Sequence, residues 1–299
     1  MRWNLRCRSG KGGIIIFLFL YSCGQQAQVP AARESREPLL HAGLIPDGLS
    51  ITGNIPPPAG YRRVVAGMSD FAGWLRQIPL KKDRTVYLFD GSPKRNQDAQ
   101  FAVLDISVGH KDLQQCADAV MRLRAEFLYA RKDFAGIDFY TVQGTRLNFK
   151  EWAEGRRVRL TGGRLVSYTR QPPASEGADR ICFAAYLEAV FSYCGTLSLE
   201  KQLSPVSSFG EMQIGDVLIR GGSPGHAMLV LDMAVDSMGH KVYMLAQSYM
   251  PAQDIHIVKN PTEENISPWY RLDKRDTVIV TPEWTFYPYQ LRSWPGAGG

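Results

Sequence analysis

A thiol and an imidazole are the pair from which covalent acyl-transfer catalysis is built: the imidazole takes the thiol proton and the thiolate attacks a carbonyl carbon. Past residue 23 the sequence offers three thiols, Cys116, Cys182 and Cys194, and one histidine, His226, that follows a glycine-rich turn. Cys116 falls at the start of a predicted helix, with Asp112 as N-cap and Gln115 three residues on. Free amides and the helix dipole there favour a thiolate. The same cysteine also lies on an apolar stripe with Leu113, Ala117, Val120, Leu123 and Phe127. That stripe is equally what an unreactive packed cysteine would join. Cys182 and Cys194 fall in one predicted helix over 179–194, about 18 Å apart along its axis, too far to bridge each other. Cys194, at the helix end, reads as packing.

The setting of His226 is a hairpin. Asp216–Arg220 reads as a strand, Gly221–Gly225 as a turn, Ala227–Leu231 as an apolar strand, and Val242–Gln247 as its partner beyond turn residues Asp236, Ser237 and Gly239. Pairing Ala234 with Lys241 sets His226 opposite Tyr249 and Met228 opposite Gln247. His226, Gln247 and Tyr249 then share a face, while a slip of one residue would offer Ser248 instead. Gln247 either fixes the tautomer of His226 or satisfies hairpin backbone. His110, His240 and His256 read as loop residues. No Cys and His cluster has metal-ligand spacing, so neither a metal nor another cofactor is expected.

These residues must be positioned by the elements around them. Val86–Asp90 and Phe101–Ser107 read as strands ahead of the Asp112 helix. Phe139–Leu165, with Trp152 and a basic loop, reads as a lobe over the site, and Thr196–Glu211 as a connector with a short helical piece. On the Asp112 helix, Asp118, Arg122, Arg124 and Glu126 form a charged ladder. It is either a solvated face or, if packed on the Gln253–Asp254 loop, a structural ion-pair network.

The N-terminus supplies a compartment. Arg2, Arg6, Arg8 and Lys11 precede the apolar run Ile14–Leu20, which is too short for a permanent span, and Leu20-Tyr-Ser-Cys23-Gly resembles a lipobox. Residues 1–22 are thus expected to be a lipoprotein signal peptide, Cys23 the lipidated residue, 23–54 a tether, 55–294 one globular domain and 295–299 a tail. The expected location is the cell envelope, on the outer membrane facing the periplasm or the surface, with the membrane as partner through the lipid anchor. The formal charge is +6, and removing the signal leaves about +2. No nucleic-acid partner follows from so small a charge.

Two resemblances sharpen this reading. Asp112-Leu-Gln-Gln-Cys-Ala-Asp-Ala-Val-Met-Arg-Leu-Arg-Ala-Glu126, Pro224-Gly-His-Ala227 and Leu245-Ala-Gln-Ser-Tyr-Met-Pro-Ala-Gln-Asp-Ile-His256 resemble the hallmark strings of a family of bacterial exported proteins and lipoproteins known as a domain of unknown function. That likeness runs from about Pro56 to Tyr289 and implies no established activity. Gly215-Asp216, an apolar strand and His226-Ala-Met-Leu-Val resemble the histidine half of NlpC-type papain-like cysteine peptidases, which cut peptidoglycan stem peptides. The usual Asp-Cys-Ser-Gly string is absent, and aligning Gly195 with the end of that family's helix puts Phe183, not Cys182, at the nucleophile position.

The expected fold is α+β, an antiparallel, partly barrelled sheet packed on a long helix in a papain-like, NlpC-like manner; the alternative is an unrelated sheet-and-helix sandwich. Two function classes follow. One is an envelope cysteine hydrolase acting on an amide or peptide bond, such as cell-wall peptides, with Cys116 as nucleophile, His226 as base and Gln247 as orienter. The other is a non-catalytic module that binds a glycan, peptide or protein through a groove lined by Trp152, Tyr249 and Trp269.

Overall fold

The computed structural model describes residues 50–170 and 177–296. The expected signal peptide, Cys23, the tether up to residue 49 and residues 297–299 lie outside them. The helices are α1 (Ile51–Asn54), α2 (Phe71–Arg76), α3 (Cys116–Ala130), α4 (Phe149–Ala153), α5 (Arg180–Tyr193) and α6 (Thr196–Gln202). The strands are β1 (Arg62–Arg63), β2 (Gln100–Val103), β3 (Asp138–Tyr140), β4 (Arg146–Asn148), β5 (Arg156–Thr161), β6 (Arg164–Thr169), β7 (Ser204–Pro205), β8 (Val217–Arg220), β9 (His226–Val235), β10 (Lys241–Gln247), β11 (His256–Val258), β12 (Tyr270–Arg271), β13 (Ile279–Val280), β14 (Thr285–Phe286) and β15 (Leu291–Ser293).

The fold is mixed α+β around one large antiparallel sheet in the order β2-β11-β10-β9-β8-β15-β7. It does not close. Beside β9, β8 pairs with the N-terminal half and β1 with Arg62↔Val235 and Arg63↔Ala234. β10 is shared in the same way between β11 and β12. The path therefore ends in open edges at β2 and β7, and the expected partial barrel is an open sheet.

β9 is buried over nearly its whole length, His226 to Ala234, which explains why its sequence reads as a continuous apolar run rather than an alternation. Ala227, Leu229, Leu231 and Ala234 join Val120 and Leu123 of α3 and Leu187 of α5 in one apolar cluster. Met228, Val230 and Met233 join Tyr243, Tyr270 and Phe286 in a second. A bulge interrupts the alternation: Met244 pairs with Asp232 but Leu245 with Val230, so Leu231 is the extra residue. Asp232 is consequently buried and held by Arg63 Nε and Arg76 Nε, each at 2.7 Å.

Several local expectations need correction. Val86–Asp90 makes only isolated bridges, Tyr87↔Pro93 and Leu88↔Gln253. Ile51 is fully buried, so the folded part reaches into the stretch expected to be tether. The α3 helix starts at Cys116, not near Asp112. Gln115 is its N-cap, in a reciprocal capping box with Asp118, while Asp112 instead accepts from Ala252 N and Gln115 Nε2. The ladder is not solvated either. Asp118, Arg122 and Glu126 are buried, and Arg122 reaches Glu126 Oε1 at 2.9 Å and Gln114 Oε1 at 2.8 Å, while Arg180 of α5 caps Glu126 Oε2 at 2.7 Å. Asp254, the other expected partner, pairs with Lys81.

Candidate functional site

Gly225 is the hinge on which His226 depends. A Cβ there would stand 2.4 Å from Gly222 O and 2.8 Å from Arg220 O, so only glycine lets the turn fold tightly enough for His226 to pair with Arg220 at the start of β9. The His226 ring then packs between Tyr249, Trp284 and Phe286, with centroids 4.8, 5.1 and 5.9 Å away.

Beneath the ring runs a chain of hydrogen bonds whose protons can be placed. Glu283 accepts from Lys94 Nζ at 2.6 Å and from Asn96 Nδ2 at 3.2 Å, and a carboxylate so engaged can only accept. Gln247, 2.8 Å from Glu283 Oε2, must therefore present its NH2 there. That turns Gln247 Oε1 toward His226 Nε2, 2.8 Å away, so Nε2 carries the ring proton and donates it. The second N–H of the Gln247 amide points at His256 Nε2, 3.2 Å away, and His256 donates from Nδ1 to Asp254 O at 2.9 Å. His226 Nδ1 makes no hydrogen bond among the described residues and keeps its lone pair. This is the protonation pattern a general base needs.

Cys116 is the first residue of α3. Burial pushes its thiol up to about 11, outweighing the lowering effect of the backbone amides of Ala227, Ala117 and Cys116 itself. α3 packs against β9, the strand that His226 opens, with Val120 and Leu123 in the same apolar cluster as Ala227 and Leu229. No hydrogen bond joins Cys116 and His226. Cys116 is 6 % exposed yet belongs to neither apolar cluster, whereas Cys182 sits inside the first. Burial, only partly offset by Gln247, lowers His226 to about 4, so in this conformation thiol and imidazole are both neutral at neutral pH.

The other expected residues divide. Tyr249, half-buried, stands against His226. Ser248 is fully buried, its Oγ 2.8 Å from Gln253 O and 3.0 Å from Gln114 O, and so pins the segment leading into Cys116. Trp152 stacks under Arg157 and meets Tyr186 of α5, away from His226. Trp269 is 2 % exposed, its Nε1 bonded to Pro56 O, and it lines a separate cavity with Tyr61 and Phe101. The three aromatic residues thus do not share one groove. His256, expected in a loop, is instead buried in β11, where burial lowers it to about 3.

Sequence reasoning missed Glu283 and Lys94. Lys94 is followed by another cation, Arg95, and Glu283 sits between Pro282 and Trp284, so nothing local in the sequence marks them as a part-buried pair 189 positions apart.

A family model described as a domain of unknown function (4846) matches residues 51–293. No curated protein and no solved structure matches the chain.

Proposed function

The chain belongs to the family described as domain of unknown function (4846), and we propose that its fold carries a cysteine-hydrolase site with Cys116 as nucleophile, His226 as base through Nδ1, and Gln247 as orienter. The observation that carries the reading is the packing of α3, whose first residue is Cys116, on β9, whose first residue is His226, with Val120, Leu123, Ala227 and Leu229 in one apolar cluster. That packing joins a helix opened by a thiol to a strand opened by a histidine whose unbonded ring nitrogen is the basic one. In the reaction, Nδ1 takes the thiol proton, sulfur adds to a carbonyl carbon, and the leaving amine takes that proton as the acyl thioester forms. Water then cleaves the thioester. The order of elements, a helix opened by cysteine, a strand opened by histidine and a neighbouring strand ended by its polar partner, supports an NlpC-like arrangement acting on an amide or peptide bond such as those of cell-wall peptides.

The burial of Cys116 and His226 favours a second reading, a binding module that has kept the scaffold without the chemistry. Iodoacetamide separates the two. A Cys116 alkylated at pH 7 faster than free cysteine, with Cys116→Ser as control, supports the hydrolase; labelling as slow as at Cys182 supports the module. Both readings keep the chain in the envelope through lipidated Cys23. Cys23→Ser is expected to move it from the detergent to the aqueous phase, and unchanged partitioning would remove the anchor.

A further inference from the structure

α3 carries a second chemical feature, two turns beyond Cys116. Arg63, Arg76, Arg122 and Arg180 each reach a carboxylate. Arg124, mostly buried, reaches none. Its guanidinium lies 5.1 Å from the ring centre of Phe71 and 5.4 Å from those of Phe127 and Trp294, and it makes no hydrogen bond or ion pair among the described residues. Burial costs this charge enough to lower its pKa, with only the more distant Asp133 offsetting. The rings compensate the cation from the side. Its N–H donors are left with nothing to donate to, and none of its nitrogens is among the sealed, unpartnered atoms.

Those donors face open space. Arg124 and Trp294 line a cavity of about 550 Å³ together with Phe71, Phe127, Arg131 and Asp216, and both residues also line a neighbouring one of about 480 Å³. Volumes of this order suit small ligands, for which pockets run roughly 300–1,000 Å³. Trp294 is 6 % exposed and its Nε1 is sealed without a partner, so it lends the cavity its ring face and not a donor. The acids around the first cavity are already engaged or turned to water. Asp216 accepts from Gln213 N, Asp70 from Gly67 N, and Glu211 is exposed.

We propose that this cavity is a binding site for a small carboxylate with a flat apolar body, its carboxylate on Arg124 and its body against Phe71, Phe127 and Trp294. The guanidinium fork matches a carboxylate in two parallel hydrogen bonds, and the ring walls exclude the water that would weaken them. The site is separate from His226, which sits at the opposite end of β8 from Asp216. It stands whether or not Cys116 is a nucleophile.

Benzoate and its neutral isostere benzamide, titrated calorimetrically into the whole chain, test this. Benzoate is expected to bind saturably at least tenfold more tightly than benzamide, and Arg124→Gln is expected to abolish that preference. Equal binding of the two, no saturable binding of benzoate, or a preference that survives in Arg124→Gln would overturn the site. If Arg124→Gln does not fold, Ser207→Trp fills the cavity from an exposed lining position. Loss of benzoate binding in that variant upholds the proposal, and undiminished binding defeats it.

Discussion

Glu283 Oε2 stands 2.8 Å from Gln247 Nε2, and through that contact a carboxylate two bonds removed from the His226 ring dictates which ring nitrogen is protonated. The orientation of an amide is otherwise free to flip. With Lys94 holding Glu283, and His256 accepting the second amide proton, only one arrangement satisfies every partner. Orientation of the base is thus set from the far side of the network, by residues that touch neither the ring nor Cys116.

Replacing Glu283 by Gln should therefore do two separable things. It leaves Lys94, 8 % exposed, without its counter-ion, which costs about 2 kcal/mol in urea unfolding, below the range for a fully buried pair because Glu283 is only part-buried. It also frees the Gln247 amide to flip, so that nitrogen-resolved NMR should report a mixture of His226 tautomers. Lys94→Met added to Glu283→Gln should recover much of the stability but not the single tautomer. Recovery of both would mean that Glu283 only balances charge.

Stability should fall on the acid side of neutrality. His226 and His256 are held near 4 and 3 by burial, against about 6.5 in an unfolded chain. Above pH 6.5 both are neutral in either state and cost nothing. As pH drops from 6.5 toward 4 the unfolded chain gains up to two protons that the folded chain refuses, a loss approaching about 3 kcal/mol per pH unit. Asp216, raised to about 6 by burial, works the other way, because below that pH the folded state holds a proton the unfolded state lacks. Denaturation midpoints at pH 7, 5.5 and 4.5 measure the sum. A variant with both histidines replaced by glutamine should show a flat or inverted profile, and an unchanged slope would assign acid lability elsewhere.

Much of the region around His226 was legible because its information is local. The turn residues 221–225 and the apolar run after them specify β8 and β9, and alternation places His226 and Gln247 on one face. The anchoring pair was nonetheless wrong, since Ala234 meets Val242 rather than Lys241. The bulge at Leu231 then restores the expected register, so the contact at the site came out as a consequence of two offsets. What sequence patterning could not supply was non-local. Arg180 reaches Glu126 from 54 residues away and converts a ladder with surface spacing into a buried network. The start of α3 moved because Asp112 has a competing partner in Ala252, which leaves Gln115 and Asp118 to cap.

That buried network makes two neighbouring carboxylates respond to loss of charge with very different magnitudes. Glu126 is the counter-ion of Arg122, both 2 % exposed, and Glu126→Gln should cost about 3–5 kcal/mol. Asp118 has no cation in contact among the described residues. Burial holds its carboxyl well above the usual range, and its Oδ1 is unpartnered. Asp118→Asn keeps an oxygen for the Gln115 amide, so it should change stability by less than about 1 kcal/mol. Urea midpoints for the two variants check this, and equal losses would show that Asp118 acts as an anion after all.

The turn before His226 offers the sharpest separation of local backbone from chemistry. In Gly225→Ala the new methyl would meet Gly222 O at 2.4 Å, Thr196 Oγ1 at 2.5 Å and Arg220 O at 2.8 Å. Two of these are backbone atoms in the turn itself, so the strain cannot be relieved by a side-chain rotation and must displace residues 221–226. The expected cost is about 1–3 kcal/mol, as for overpacking elsewhere. The displacement should also pull His226 Nε2 off Gln247 and shift the start of β9 against α3, so the variant, measured under conditions where it is folded, should show an altered Cys116 alkylation rate. Gly195→Ala is the control, because a Cβ there meets nothing within 4 Å and its φ of −174° is ordinary extended backbone. It should lose less than about 1 kcal/mol, the scale of a changed N-cap, and leave the alkylation rate alone. If Gly225→Ala proves as mild as Gly195→Ala, the turn is looser than its contacts imply and His226 is held by its ring neighbours alone.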